Sequence, residues 1–240
     1  MKCTANVTPK MATQTDRSLR VSPLLWLYRP IGVAILLLAL AQLAPNFYRD
    51  WMVSERSVME AVHVLVPAAA FFIAVDCLRL PALKPLPWLK VWLGIAAVGS
   101  FYIVGEEMSW GQHLLNWATP EYWSTLNDQD ETNLHNITSW FDQKPRAVLQ
   151  TGVVIGGILL PIYTKFRPAL LGYRWSIILP PAICLPTAVL SELVDRSKDA
   201  IAVFELPWYL FYRASEVHET FLYWFILLYL IVLRRRLKGL

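Results

Sequence analysis

Long uncharged apolar runs separated by short clusters of charge dominate this chain. Marking the stretches between charges gives six segments, at 24–46, 57–77, 88–108, 146–164, 174–194 and 216–233. Each is near the ~20 residues a helix needs to cross a ~30 Å hydrocarbon core. Backbone in lipid must satisfy its own hydrogen bonds, so the pattern predicts an all-α fold: a polytopic membrane helical bundle of about six transmembrane helices. No polar or Gly/Ser-rich linker and no internal repeat interrupts the pattern. Residues 24–240 therefore read as one transmembrane helical domain, preceded by a flexible cytoplasmic tail at 1–23. A composition of 56% hydrophobic and 17% charged residues lies outside the usual soluble mix and agrees with this reading.

Charge then orients the bundle. Fifteen Lys and Arg residues fall in the N-terminal tail, the second and fourth loops and the C-terminal tail, against seven in the first, third and fifth loops. The positive-inside rule predicts both termini in the cytoplasm and the long third loop outside. Lys2, Lys10, Arg17 and Arg20 ahead of an apolar stretch resemble a secretory leader, but that stretch is long enough to span and lacks a clear small-residue cleavage site. It is expected to be a retained first helix. The net charge of +4 flanks apolar segments instead of forming a basic patch, so no nucleic-acid partner is expected. Cys3, Cys77 and Cys184 have no CxxC spacing and suggest neither a disulfide framework nor a thiolate metal site.

The external loops carry structure of their own. Thr119-Pro120-Glu121 reads as an N-cap followed by proline at the first helical position, opening a short helix to about Leu126. A second is expected near Glu131 to Phe141, and the aromatic residues within 198–213 predict an interfacial or re-entrant segment in loop five. Trp110, Trp117, Trp123 and Trp140 suit an aromatic belt on the same side.

The candidate chemistry lies in the charges that interrupt apolar helix ends. All four histidines map to one side, beside carboxylates: Glu60 and His63 near the start of the second segment, Glu106, Glu107 and His113 at the end of the third, His135 in the loop, and Glu216, His218 and Glu219 at the start of the sixth. Glu192 and Asp195 end the fifth segment on that side. Residues three and four apart share a helix face, which pairs Glu60 with His63 and Glu216 with Glu219. If the third helix continues through Gly111, Glu106, Trp110 and His113 also share a face. The fifteen uncharged residues before Glu106 and the fourteen after Glu219 cover only about 21–23 Å, short of a ~30 Å core. Carboxylates that dip below the interface need a partner, a proton, a metal or water.

GEEMSWGQ at 105–112, followed by ETNLHN at 131–136, resembles a motif pair of uncharacterised bacterial multipass inner-membrane proteins. The resemblance spans Gly105 to Asn136 and implies a polytopic fold in the bacterial inner membrane, with no established activity. In that family the position of His113 is often basic, which favours His135 as the ligand. Ser109-x-x-x-His113 is also similar to the Ser-x-x-x-His of ceramidase-like membrane hydrolases, whose zinc site uses further histidines on the last helix. Here the last helix offers His218 alone.

These residues suggest a metal-assisted hydrolase or transferase acting on a lipid or lipid-linked headgroup at the outer leaflet. In that reading His63, His135 and His218 hold a divalent metal ion, zinc or similar. Glu106, Glu107, Glu131, Glu216 and Glu219 supply further ligands and a general base. Trp110, Gln112, Asn133 and Asn136 bind substrate. The alternatives are a transporter or solute-binding protein, with Asp76 at the far end of its pathway, and an assembly partner of another membrane protein.

Overall fold

The structure, a computed structural model, describes residues 21–54, 57–126, 131–134, 139–169, 174–205 and 209–239. Six helices in it are long and apolar enough to cross a membrane: α1 (Leu24–Leu43), α2 (Val58–Leu78), α3 (Pro87–Glu107), α4 (Lys144–Phe166), α5 (Trp175–Val203) and α6 (Ala214–Lys238). No strand occurs among the described residues, so the chain is an all-α bundle with the spans of a multi-pass membrane protein.

Local chemistry starts and ends these helices. The Ser57 hydroxyl accepts the Glu60 N–H at 3.4 Å and caps α2. Pro87 opens α3, where a missing N–H costs nothing. Arg235, Arg236 and Lys238 in the last turn of α6 complement the negative end of its dipole.

α6 is the central helix. Of its most apolar stretch 72% is buried, against 11–39% in the other five, and α2 and α5 pack on its two sides. α4 approaches it through Gly157, where a Cβ would fall 2.5 Å from Phe225 and 2.8 Å from Ala188. Leu36, Leu65, Phe72 and Val98 are exposed around the bundle, as a lipid-facing surface requires. Because successive spans alternate, the start of α2, the end of α3, the start of α4, the end of α5 and the start of α6 share one end, termed here the site end. At the other end Arg234 Nε donates to Asp76 Oδ2 at 2.5 Å.

Three expected elements differ. α5 runs to Val203, beyond the end of its apolar segment, so residues 198–203 are helical and continuous with it. Ion pairs at helical spacing hold the extension: Lys198 with Asp195, and Arg196 with Glu192 and Asp199. In loop three a helix at Glu121–Ser124 is present, with Pro120 as its cap and not its first residue. Residues 131–134 are not helical, and the helix that begins at Ser139 continues into α4. Finally, the third helix stops at Glu107 instead of continuing through Gly111. Ser109, Trp110 and Gly111 take φ values of 45°, 55° and 103°, a left-handed turn that folds the chain back.

Candidate metal centre

The two adjacent glutamates that end α3 ahead of that turn have different partners. Glu106 faces the loop. Its Oε1 accepts the Trp110 indole N–H at 2.7 Å and its Oε2 accepts the Leu134 backbone N–H at 2.8 Å. The Trp110 ring lies over Gly105, where a Cβ would come within 2.8 Å of it, so glycine is the residue that fits there. Non-glycine residues in left-handed backbone cost ~1–3 kcal/mol each and persist only where their surroundings hold them.

The rest of the motif pair completes the same network. Ser109 Oγ and Asn133 Nδ2 donate to Glu131 Oε2 at 2.9 and 2.6 Å. Gln112 Oε1 accepts the Thr132 N–H at 2.6 Å, and its Nε2 donates to Thr119 at 2.7 Å. Thr132 and Leu134 spend their backbone donors on the Gln112 and Glu106 side chains, which competes with helix formation there. Trp110, Gln112 and Asn133, expected to bind substrate, bind the loop to the end of α3. Glu131 lies with them and not with Glu216 and Glu219. His135 and Asn136 lie outside the described residues, as does the side chain of His113.

Glu107 faces the bundle. There α2 contributes His63 and α6 contributes Glu216, Glu219, Thr220 and Tyr223, which share a face through spacings of three and four. One ligand atom from each of His63, Glu216 and Glu219 lies within 4.8 Å of the other two. His63 is fully buried. Its Nε2 lies 2.9 Å from Thr220 Oγ1 and 3.1 Å from the Glu216 carbonyl, while the Thr220 hydroxyl itself donates to that carbonyl at 3.0 Å. The network therefore places a ring proton on Nε2.

Nδ1 has no hydrogen-bond partner. It faces Glu216 Oε2 at 3.6 Å and Glu107 Oε2 at 3.7 Å. A charged imidazolium hydrogen bond would draw such a carboxylate to ~2.7–2.9 Å. Two ligands of one tetrahedral zinc, bonded at ~2.0–2.1 Å, stand roughly 3.4 Å apart. The observed gaps match ligand spacing better than a hydrogen bond.

The outer oxygens are held from behind. Arg213 pairs with Glu216 Oε1 at 2.8 Å and donates to the Val53 carbonyl, and Arg146 of α4 pairs with Glu219 Oε1 at 2.6 Å. Tyr223 donates to Glu107 Oε1 at 3.0 Å and lies 3.3 Å from Glu219 Oε2. Such partners fix the orientation of the carboxyl groups. Three carboxyl groups and two guanidiniums therefore meet around His63.

His218 belongs elsewhere. It is buried against α5 with neither ring nitrogen hydrogen-bonded, and its Nδ1 lies 3.7 Å from Asp195 Oδ1. That oxygen already takes Lys198 at 2.5 Å, while Gln150 donates to Asp195 at 2.9 Å and to Glu192. An ammonium thus stands where a metal would be needed, and the expected three-histidine site is not assembled among the described residues.

Sequence reasoning missed Thr220, Tyr223, Arg146 and Arg213. The three-and-four spacing of 216, 219, 220 and 223 was a usable signal for the first two. Nothing local marked the arginines, which look like ordinary loop-proximal charge until α4 and α6 meet.

The centre opens onto a cleft of about 1150 Å³ between α3, α4 and α6, with Glu106, Glu107, Arg146, Arg213, Glu216 and Glu219 among its polar lining. No protein-family model, no curated protein and no solved structure matches this chain.

Proposed function

We propose that the chain is a membrane-embedded, metal-dependent hydrolase or transferase acting on a lipid or lipid-linked headgroup. The observation that carries this reading is the buried His63 Nδ1, free of hydrogen bonds and turned toward carboxylates of α3 and α6 at the mouth of an intramembrane cleft. His63, Glu216 and Glu219 hold a divalent ion of the zinc type, and a fourth position stays open toward the cleft. Such an ion polarises the substrate and lowers the pKa of bound water.

Glu107 is the general base. Its Oε1 is fixed by Tyr223 and its Oε2 lies beside the ligand set, in position to take a proton from water or an acceptor hydroxyl and return it to the leaving group. Arg146, beside Glu219 in the cleft, offers positive charge to an anionic headgroup or to charge developing in the transition state. Glu106 and Glu131 act as positioning residues through the loop that roofs this end. Under the loop-charge asymmetry, the site end faces the non-cytoplasmic side of a cell membrane, with both termini in the cytoplasm.

Transport is less well supported. Asp76, its expected far-end group, is paired with Arg234, and the cleft floor away from the site end is occupied by Trp92 and Tyr229, joined by a 2.7 Å hydrogen bond.

The test is metal analysis of protein purified without chelator, followed by mass spectrometry of lipids in zinc-loaded proteoliposomes. Stoichiometric zinc that His63→Ala loses, with lipid turnover that Glu107→Gln abolishes while keeping the zinc, supports the proposal. Wild-type protein that binds no zinc and turns over no lipid overturns it.

A further inference from the structure

The cleft does not stop at the metal centre. Trp92, Ala96, Gly99, Ile103 and Glu107 of α3 line it at helical spacing, so one stripe runs from the polar end to the Trp92–Tyr229 hydrogen bond. The fifteen residue steps from Trp92 to Glu107 span about 22 Å, more than one leaflet of a ~30 Å core. Below the carboxylates the facing walls are apolar: Leu149 and Val153 on α4, Leu222 and Phe225 on α6.

Small residues keep the cleft open. Glycines in membrane helices commonly let a neighbouring helix come close, as Gly157 does. Gly99 and Gly152 line the cleft from α3 and α4, and a Cβ at either would meet nothing within 4 Å. They serve space and not contact. α3 and α4 barely touch, and the exposed side chains of Ile95, Val148 and Ile155 line the cleft, so it opens sideways toward lipid.

We infer that this cleft takes one hydrocarbon chain of a membrane lipid, entering between α3 and α4, and that Gly99 and Gly152 set the length of chain admitted. The inference rests on the proposed function in placing the headgroup linkage at His63, Glu216 and Glu219. Continuity of the apolar shaft with that polar end identifies the occupant: one end requires a charged or polar group, the other a chain that replaces lipid contacts. Gly99 lies about 12 Å below Glu107 along α3, so a large side chain there would block the shaft near its middle.

The experiment reads chain occupancy and not turnover. Full-length protein in maltoside detergent is incubated with an equimolar series of monoacyl phosphocholines from decanoyl to stearoyl, washed, and its retained lipid quantified by mass spectrometry beside its zinc content. Wild type is expected to retain the long chains preferentially. Gly99→Phe and Gly152→Phe should each lower the stearoyl-to-decanoyl ratio about tenfold or more, because excluded methylenes forfeit their burial. Gly94→Phe is the matched control: it lies on α3 outside the cleft and its Cβ also meets nothing within 4 Å. An unchanged ratio in both cleft variants, or an equal fall in the control, overturns the inference. His63→Ala separates the two proposals. Wild type without zinc but with a glycine-dependent chain profile removes the hydrolase reading and leaves the chain site, whereas bound zinc with glycine-independent retention does the reverse.

Discussion

Two buried histidines at the same end of the bundle stand 3.7 Å from a carboxylate oxygen, yet they are set up for different tasks. His63 has one ring nitrogen anchored by Thr220 and the Glu216 carbonyl, and the other aimed at oxygens from two helices. His218 has neither nitrogen anchored, and its carboxylate neighbour is already neutralised by Lys198. What makes a metal site is therefore not a histidine beside a carboxylate. It is a histidine with one ring nitrogen anchored, the other facing carboxyl oxygens that are themselves fixed from behind by Arg213 and Tyr223. The difference arises from α6, whose 216-219-220-223 face meets α2 and α3 while residue 218 turns toward α5. Gln150 and Arg146, one turn apart on α4, tie the two regions together by reaching Asp195 and Glu219 respectively.

The sharpest way to break this contrast is to remove each histidine in turn. His63→Ala is expected to reduce bound zinc and lipid turnover to background. His218→Ala keeps the zinc and costs about 1–3 kcal/mol of stability through the space left behind, read from thermal unfolding in detergent. Zinc lost equally from both would mean the regions act as one site. Next comes the anchor: Thr220→Val preserves shape but removes one of the two partners of Nε2, and should weaken zinc affinity ~10–100-fold by competition with a chelator. Lys198→Ala, behind the other histidine, should leave that affinity unaltered.

Glu106→Gln tests the separation of the adjacent glutamates. It weakens the holds on Trp110 and Leu134, so a loss of about 1.5–3 kcal/mol and faster proteolysis of loop three are expected, with zinc retained. Release of the metal by this variant would place Glu106 in the ligand set. The smallest effect belongs to Asp76→Asn. Its pair with Arg234 is exposed by 40% or more on both sides and screened by solvent, so zinc and turnover should persist. Solute flux in proteoliposomes that depends on Asp76 would favour transport instead.

Much of the fold was legible from one-dimensional pattern. The boundaries of α2 and α3 fall within a residue of the segments read from the sequence, because in lipid both the helix and its limits follow from where charge is tolerated. α5 escaped this logic. Its last residues are charged, and only pairing among Glu192, Asp195, Arg196, Lys198 and Asp199 keeps them helical. The loop escaped it too: Glu131 to Leu134 read as helical locally, but Glu106 and Gln112 claim its backbone donors.

Within the site, the sequence was enough to place His63, Glu107, Glu216 and Glu219 at one depth and one end, since depth follows from counting residues along helices that must span. Rotation about each helix axis is a different quantity, set by packing. It is rotation that sends Glu107 inward while Glu106 turns to the loop, separates His218 from His63, and brings Arg146 from α4 onto Glu219. The left-handed turn at 109–111 and the close approach at Gly157 belong to the same class. Depth is written in hydropathy along the chain, whereas the choice of neighbour at that depth depends on side chains from helices far apart in sequence, and is settled only when those helices pack.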